Sequence, residues 1–192
     1  MTNSDKLGYG SVIGILGGGQ LGRMLCHAAS KLGFKVHIFN PEKNSPATQI
    51  SHYSTISSFK NREALKKFAK SVDVITYEFE NIPSETIDYL SNYCKIVPNK
   101  EALIISQDRV QEKEFLSSIG IQIAPYMEVK SHLAIEQAVK TIGFPSIIKT
   151  TRFGYDGKGQ VKVSNKKELE IHFETLSKQE LIIEKLISFE KE

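Results

Sequence analysis

Between Val12 and Val97 short apolar runs alternate with segments whose apolar residues recur every three or four positions, and few architectures satisfy that order. Strands separated by helices cannot pair as hairpins. They pair in parallel, joined by right-handed crossovers. The run Val12 to Leu16 leads into the glycine loop Gly17 to Gly22, after which Leu21, Leu25, Ala28 and Leu32 follow at helical spacing as the expected inward face; Gly33 closes that helix. A second strand, Lys35 to Phe39, stops at Asn40-Pro41, and Asn61 is placed to cap a helix carrying Leu65, Phe68, Ala69 and Val72. A third strand runs from Val72 to Tyr77 into the polar turn Glu78 to Pro83. Ser84 is the expected cap of a helix with Ile87 and Leu90 inward, and Lys95 to Val97 reads as a fourth short strand. The expectation for residues 1–97 is an α/β domain on a Rossmann-like parallel sheet.

The pattern changes after Val97. A charge-rich helix is expected from Asn99 to Ser118, ended by Gly120, and then a strand from Ile121 to Val129. A helix capped by Ser131, with Leu133, Ile135, Val139 and Ile142 as its core, stops at Gly143. The strand Ser146 to Thr150, a glycine-rich hairpin Gly154 to Gly159, a return strand Gln160 to Val163, a helix start at Asn165 with Glu168, and a last strand Leu181 to Ile187 make residues 98–192 an α+β region.

With 40% hydrophobic and 24% charged residues the chain can build a core. Its 25 Lys and Arg against 22 Asp and Glu leave +3, dispersed along the sequence, and only Arg23, Arg62, Arg109 and Arg152 carry guanidinium groups, so no nucleic-acid surface is expected. Cys26 and Cys94 lack a C-x-x-C partner, as two reduced thiols in a cytoplasmic protein would. The five His show no metal-ligand spacing, so no metal site is expected from them, and no run is apolar enough for a signal or a membrane span.

Three segments carry candidate chemistry. Gly17 to Gly22 fits G-x-G-x-x-G between strand and helix, which serves a dinucleotide, another phosphorylated ligand, or a tight turn alone; Asn40 stands where a nicotinamide dinucleotide site expects an acid. Lys149 lies inside an apolar strand, where an ammonium needs a fixed anion, and beside it the hairpin with Arg152 and Lys158 forms a cationic flap suited to a polyphosphate. Glu184 sits within the apolar run Leu181 to Ile187, where a strand end can offer a carboxylate and main-chain groups to an adenine.

In this order the segments resemble the ATP-grasp superfamily. In detail, GGGQLGRM from Gly17, TYEFENIP from Thr76, QDRVQEKEFL from Gln107, GYDGKGQ from Gly154 and EKLISFEKE from Glu184 resemble its 5-(carboxyamino)imidazole ribonucleotide synthase family. The resemblance implies an ATP-dependent ligase of purine biosynthesis, whose carboxyphosphate, made from ATP and bicarbonate, is captured by the amine of aminoimidazole ribonucleotide with release of ADP and phosphate. It implies ATP binding by Arg109, Lys149, Gly154, Tyr155, Asp156, Gly157, Lys158, Gly159, Gln160, Glu184, Lys185, Leu186, Ile187 and Glu192, with Tyr155 and Lys158 catalytic. It places Gly19, Gln20, Leu21, Glu78 and Asn81 on the ribonucleotide side. Family members continue well past the FEKE segment with the carboxylates that hold magnesium, so the chain is expected to correspond to the front half, inactive alone, with a homodimer in the full-length form and a separate C-terminal half as a candidate partner. A nucleotide-binding remnant without catalysis and a nicotinamide-dependent oxidoreductase are the alternatives.

Overall fold

The computed structural model describes residues 6–154, 158–176 and 179–189. The chain divides into two compact units, Met1–Leu103 and Ile104–Glu192. It is mixed α/β, with one parallel and one antiparallel sheet.

In the first unit β1 (Val12–Leu16), α1 (Gln20–Lys31), β2 (Lys35–Asn40), β3 (Tyr53–Ile56), α2 (Arg62–Ala69), β4 (Val74–Tyr77) and α3 (Ser84–Ser91) follow in order, and α4 (Lys100–Gln107) begins there. The strands run parallel in the order β3-β2-β1-β4. Both faces are covered, which is why β1 is continuously apolar and β2 buries Val36, Ile38 and Phe39. Leu16 and Phe39 pack with Leu65 and Phe68 of α2, Ile87 and Leu90 of α3, and Leu103. On the opposite face Ile15, Val36 and Ile38 pack with Cys26 and Ala29 of α1.

The buried row of α1 is Gly22, Cys26 and Ala29, while Leu21, Leu25, Ala28 and Leu32 face outward. Small side chains let the helix lie close on the sheet, and hydrophobicity alone named the wrong face. Strand β3 was not expected, because its run Tyr-Ser-Thr-Ile is an exposed edge held by main-chain pairing with β2 rather than by burial. The third strand begins at Val74 rather than Val72, and Lys95 to Val97 contributes only a bridge between Ile96 and Ile75. Asn61 caps α2 through the Ala64 N–H, whereas Ser84 is already inside α3, whose N-cap is Pro83.

The second unit carries α5 (Arg109–Ser118), β5 (Tyr126–Val129), α6 (His132–Thr141), β6 (Ser146–Thr150), β7 (Gln160–Val163), α7 (Lys166–Leu176) and β8 (Leu181–Lys185). The single helix expected from Asn99 breaks at Asp108, whose extended backbone and carboxylate, accepting from the Val110 and Gln111 N–H groups, start α5 afresh. The sheet is antiparallel, in the order β5-β8-β6-β7. Val129, Ile148, Val163, Leu181 and Ile183 fill one face against Ile135 and Ala138 of α6 and Leu169 and Phe173 of α7. Ser131 caps α6 and Gly143 follows it at φ +67°, but Leu133 is 67% exposed and Ala138 takes a core position instead. Asn165 and Glu168 form a reciprocal cap on α7, with Asn165 Oδ1 accepting from the Glu168 N–H and Glu168 Oε2 from the Ser164 N–H. Residues 121–125 and 186–187 lie outside the strands to which the sequence pattern assigned them.

The half-buried His37 gives the first unit a pH dependence. His37 meets Thr55 Oγ1 at 2.9 Å through Nε2 and Ser71 Oγ at 3.0 Å through Nδ1, and Ser71 donates its hydroxyl to the Phe68 carbonyl. With the Ser71 hydroxyl given to Phe68, the Nδ1–H donates to Ser71 Oγ, and burial, which disfavours the charged ring, pushes the His37 pKa below its ordinary value. The unfolded chain then binds more protons, so this stability is fully present above about pH 6.5 and falls as pH drops through the folded-state pKa. In urea titrations between pH 7.5 and 5 the unfolding midpoint of His37→Gln should vary less with pH than that of the unsubstituted chain; equal slopes would refute this.

Candidate functional site

In the first unit the glycine loop closes around a carboxylate of the same chain. Glu78, at the end of β4, accepts a 2.7 Å hydrogen bond from the Gly19 N–H, at the N-terminus of α1. A Cβ on Gly17, whose φ is +110°, would lie 2.6 Å from Glu78 Oε1, and one on Gly18 would lie 2.3 Å from Ser45 Oγ and 2.7 Å from the Asn40 side chain. The glycines admit Glu78 on one side and Asn40 and Ser45 on the other. A carboxylate here supplies the negative charge that the helix terminus favours and repels a pyrophosphate from the same amides. Asn40 donates its side-chain amide to the Glu42 carbonyl, further from the ribose-binding role of an acid. Gln20 and Leu21 open α1 with exposed side chains. Asn81 donates to Glu80 Oε1 at 2.9 Å, while its own Oδ1 is buried without a hydrogen-bond partner among the described residues.

In the second unit the sheet has one face under helices and one carrying charge. Lys149 and Glu184 stand on adjacent strands, diagonal to each other across the β6–β8 register. The Lys149 ammonium is 2.9 Å from Glu184 Oε2, and the Lys113 ammonium, arriving from α5, is 3.4 Å from the same oxygen. These side chains are only 16%, 14% and 8% exposed, Lys149, Lys113 and Glu184 respectively. The anion that a strand lysine requires is therefore supplied by the protein. Two ammoniums on one carboxylate leave one positive charge over, in a largely buried place where it is weakly screened.

Arg109 clamps the base of the hairpin beside this cluster. Its Nε donates to the Thr150 carbonyl at 3.2 Å, its Nη2 to the Gly154 carbonyl at 3.3 Å, and its N–H to the Thr151 carbonyl at 2.9 Å. Gly159, at φ +70°, passes so close to Thr150 that a Cβ would lie 2.7 Å from Oγ1, and its carbonyl accepts the Thr150 N–H. Gly154 likewise lies against Arg109 and the Lys158 carbonyl, and Gln160 pairs with Lys149 across the hairpin. Arg152 donates to Gln107 Oε1 at 2.9 Å and lies over the Phe153 ring. Tyr155, Asp156, Gly157 and Glu192 lie outside the described residues. Beyond Glu184, the Lys185 N–H is taken by the Pro125 carbonyl and the Leu186 N–H by the Pro145 carbonyl, and the Lys185 ammonium donates to the Phe144 carbonyl; Ile187 follows, half exposed.

The structure thus gathers Arg109, Lys149, Gly154, Gly159, Gln160 and Glu184 in one region of the second unit. Sequence reasoning missed Lys113. Its signal was the i, i+4 spacing from Arg109, which puts both cations on one side of α5. Among the described residues no three His, Cys, Asp or Glu side chains come together as a metal site, and no helix is long and apolar enough to cross a membrane.

Residues 11–107 match the ribonucleotide synthetase preATP-grasp domain, and residues 114–192 match the ATP-grasp domain. The chain belongs to the ribonucleotide synthetase preATP-grasp family. It is 39% identical over 190 residues to N5-carboxyaminoimidazole ribonucleotide synthase of Staphylococcus aureus (strain COL), covering 99% of this chain and 51% of that protein. The solved structure of N5-carboxyaminoimidazole synthetase from Staphylococcus aureus complexed with ADP superposes with a TM-score of 0.91 at 39% identity, over 97% of this chain and 50% of that one. That of the Aspergillus clavatus synthase in complex with ADP and 5-aminoimidazole ribonucleotide gives 0.82 at 31% identity, over 94% and 48%. The chain spans about half the length of these synthases.

The packing of this family's glycine loop can be tested without ligand. In Gly18→Ala the new methyl meets Ser45 and Asn40, both buried, and should cost about 1–3 kcal/mol by overpacking. Ser45→Gly in the same chain should recover part of the loss. A urea midpoint unchanged by Gly18→Ala would show that the loop does not pack this way.

Proposed function

We propose that this chain handles ATP and the ribonucleotide in an N5-carboxyaminoimidazole ribonucleotide synthase, a cytoplasmic ATP-dependent ligase of purine biosynthesis. The reaction carboxylates 5-aminoimidazole ribonucleotide with bicarbonate and releases ADP and phosphate. The observation that carries the reading is the excess positive charge of Lys149 and Lys113 around Glu184, largely buried and adjoining the hairpin that Arg109 clamps. Phosphoryl transfer is mostly positioning and neutralisation of spreading charge, which such a cluster supplies. The relatives solved with ADP, and with ADP and 5-aminoimidazole ribonucleotide, support the choice of ligands.

In this reading the first unit is Rossmann-like and binds the ribonucleotide, and the second is the small subdomain of an ATP-grasp fold. Lys149 and Arg109 meet the nucleotide phosphates, and the hairpin from Gly154 to Gln160 covers them. Tyr155 and Lys158 face the reacting groups. The adenine lies along residues 184–187, where the N–H groups of Lys185 and Leu186 are already taken, so Ile187 is the main-chain donor left for a ring nitrogen. Glu192 takes the ribose of ATP. Glu78, held by the Gly19 N–H, and the unpartnered Asn81 Oδ1 accept hydrogen bonds from the ribonucleotide, with Gly19, Gln20 and Leu21 beside them. Among the described residues no group of His, Cys, Asp or Glu side chains comes together to hold magnesium.

Binding of ATP, measured by titration calorimetry at low salt, tests the reading. Lys149→Ala removes one charge-assisted contact of ~1.5–3 kcal/mol and should weaken ATP by roughly ten- to hundredfold, with Arg109→Ala in the same direction. Unchanged affinity in Lys149→Ala, or tighter binding of a nicotinamide dinucleotide than of ATP, would overturn it.

A further inference from the structure

Glu184 is held twice, and the second holder has no evident task while Lys149 stays in place. Lys149 makes the shorter contact, a 2.9 Å hydrogen bond; Lys113 reaches the same oxygen at 3.4 Å. Lys113 is nevertheless well fixed. Its ammonium lies 5.4 Å from the centre of the Tyr126 ring, and Tyr126 is the cross-strand partner of Glu184 in the β5–β8 register. Its stem is largely buried, on a helix anchored one turn earlier by Arg109.

We propose that Lys113 is the reserve counter-ion of Glu184, a positioning residue that keeps this carboxylate paired when Lys149 turns to a phosphate. The inference deepens the nucleotide reading above and rests on it for the identity of that phosphate. A nucleotide that draws the Lys149 ammonium away would leave a carboxylate buried in the middle of a sheet with no cation, an expensive state. With Lys113 already beside the oxygen, Lys149 changes partners while the carboxylate remains neutralised. Arg109 is engaged with the Thr150 and Gly154 carbonyls and does not take this place.

The test has two arms, both on the 192-residue chain. The first uses no nucleotide: thermal unfolding of Lys113→Met, Lys149→Met, the double variant, and the double variant with Glu184→Gln. Each single substitution leaves one lysine on the carboxylate and should shift the midpoint only slightly; the double should lose more than about 10 °C, far beyond the sum, and Glu184→Gln should restore most of it. If the double variant does not fold, recovery of folding with Glu184→Gln is the expected result. Additive losses, or no recovery, overturn the inference whatever ATP does. The second arm measures ATP affinity: Lys113→Met should weaken it about tenfold or more, Lys113→Arg should restore it, and in the Glu184→Gln background the Lys113→Met effect should nearly vanish. An equal effect in that background would mean that Lys113 acts on the nucleotide directly, and overturns the positioning role. A coupled first arm with no ATP binding by the unsubstituted chain would discard the nucleotide and keep Lys113 as the reserve partner.

Discussion

A carboxylate buried in the central strand of a four-stranded sheet dictates much of what surrounds it. Glu184 is 6% exposed, on the strand that joins both halves of the second sheet. Such a group is tolerated only if cations reach it. Lys149 comes from the neighbouring strand and Lys113 from α5, so strand register and helix placement are both tied to one oxygen. The helices α6 and α7 cover the opposite face with an apolar core, which leaves the charged face to chemistry. Burial makes the arrangement useful, because the surplus charge is poorly screened by solvent and remains available to an anion.

The glycine loop of the first unit follows related physics with the polarity reversed. There the fixed group is again a carboxylate, Glu78, but its partner is a main-chain N–H at a helix terminus. Glycine at 17 and 18 is required by what presses on the loop, Glu78 on one side and Ser45 and Asn40 on the other. A motif shared with dinucleotide-binding proteins thus serves here to seat an acid, and the seated acid disfavours a pyrophosphate at the same place.

What was legible in the sequence and what was not divide along physical lines. The covered strands β1 and β2 were visible because burial concentrates apolar residues in them, and the caps at Asn61, Ser131 and Asn165 because a cap is a local hydrogen bond. Strand β3 was hidden because an edge held by its backbone leaves no hydrophobic pattern. The buried face of α1 was misassigned because Gly22, Cys26 and Ala29 gain by fitting closely, which hydropathy does not report. In the candidate site Lys149 and Glu184 stood out as charges within apolar runs, yet that they answer each other depends on register, which no single strand reveals. Lys113 looked like one charge among many on an exposed helix until the fold set it over Tyr126.

The central claim is that the phosphates of ATP are met by the charged face of the second unit and not by the glycine loop of the first. Titrating the nitrogen-15-labelled chain with ATP while following its backbone amide resonances tests this most directly. The largest changes should fall at Arg109, at residues 149–154 and 158–160, and at 184–187, with the amides of Gly17 to Gly22 little affected. Changes concentrated in Gly17 to Gly22, with residues around Lys149 and Glu184 unmoved, would contradict it.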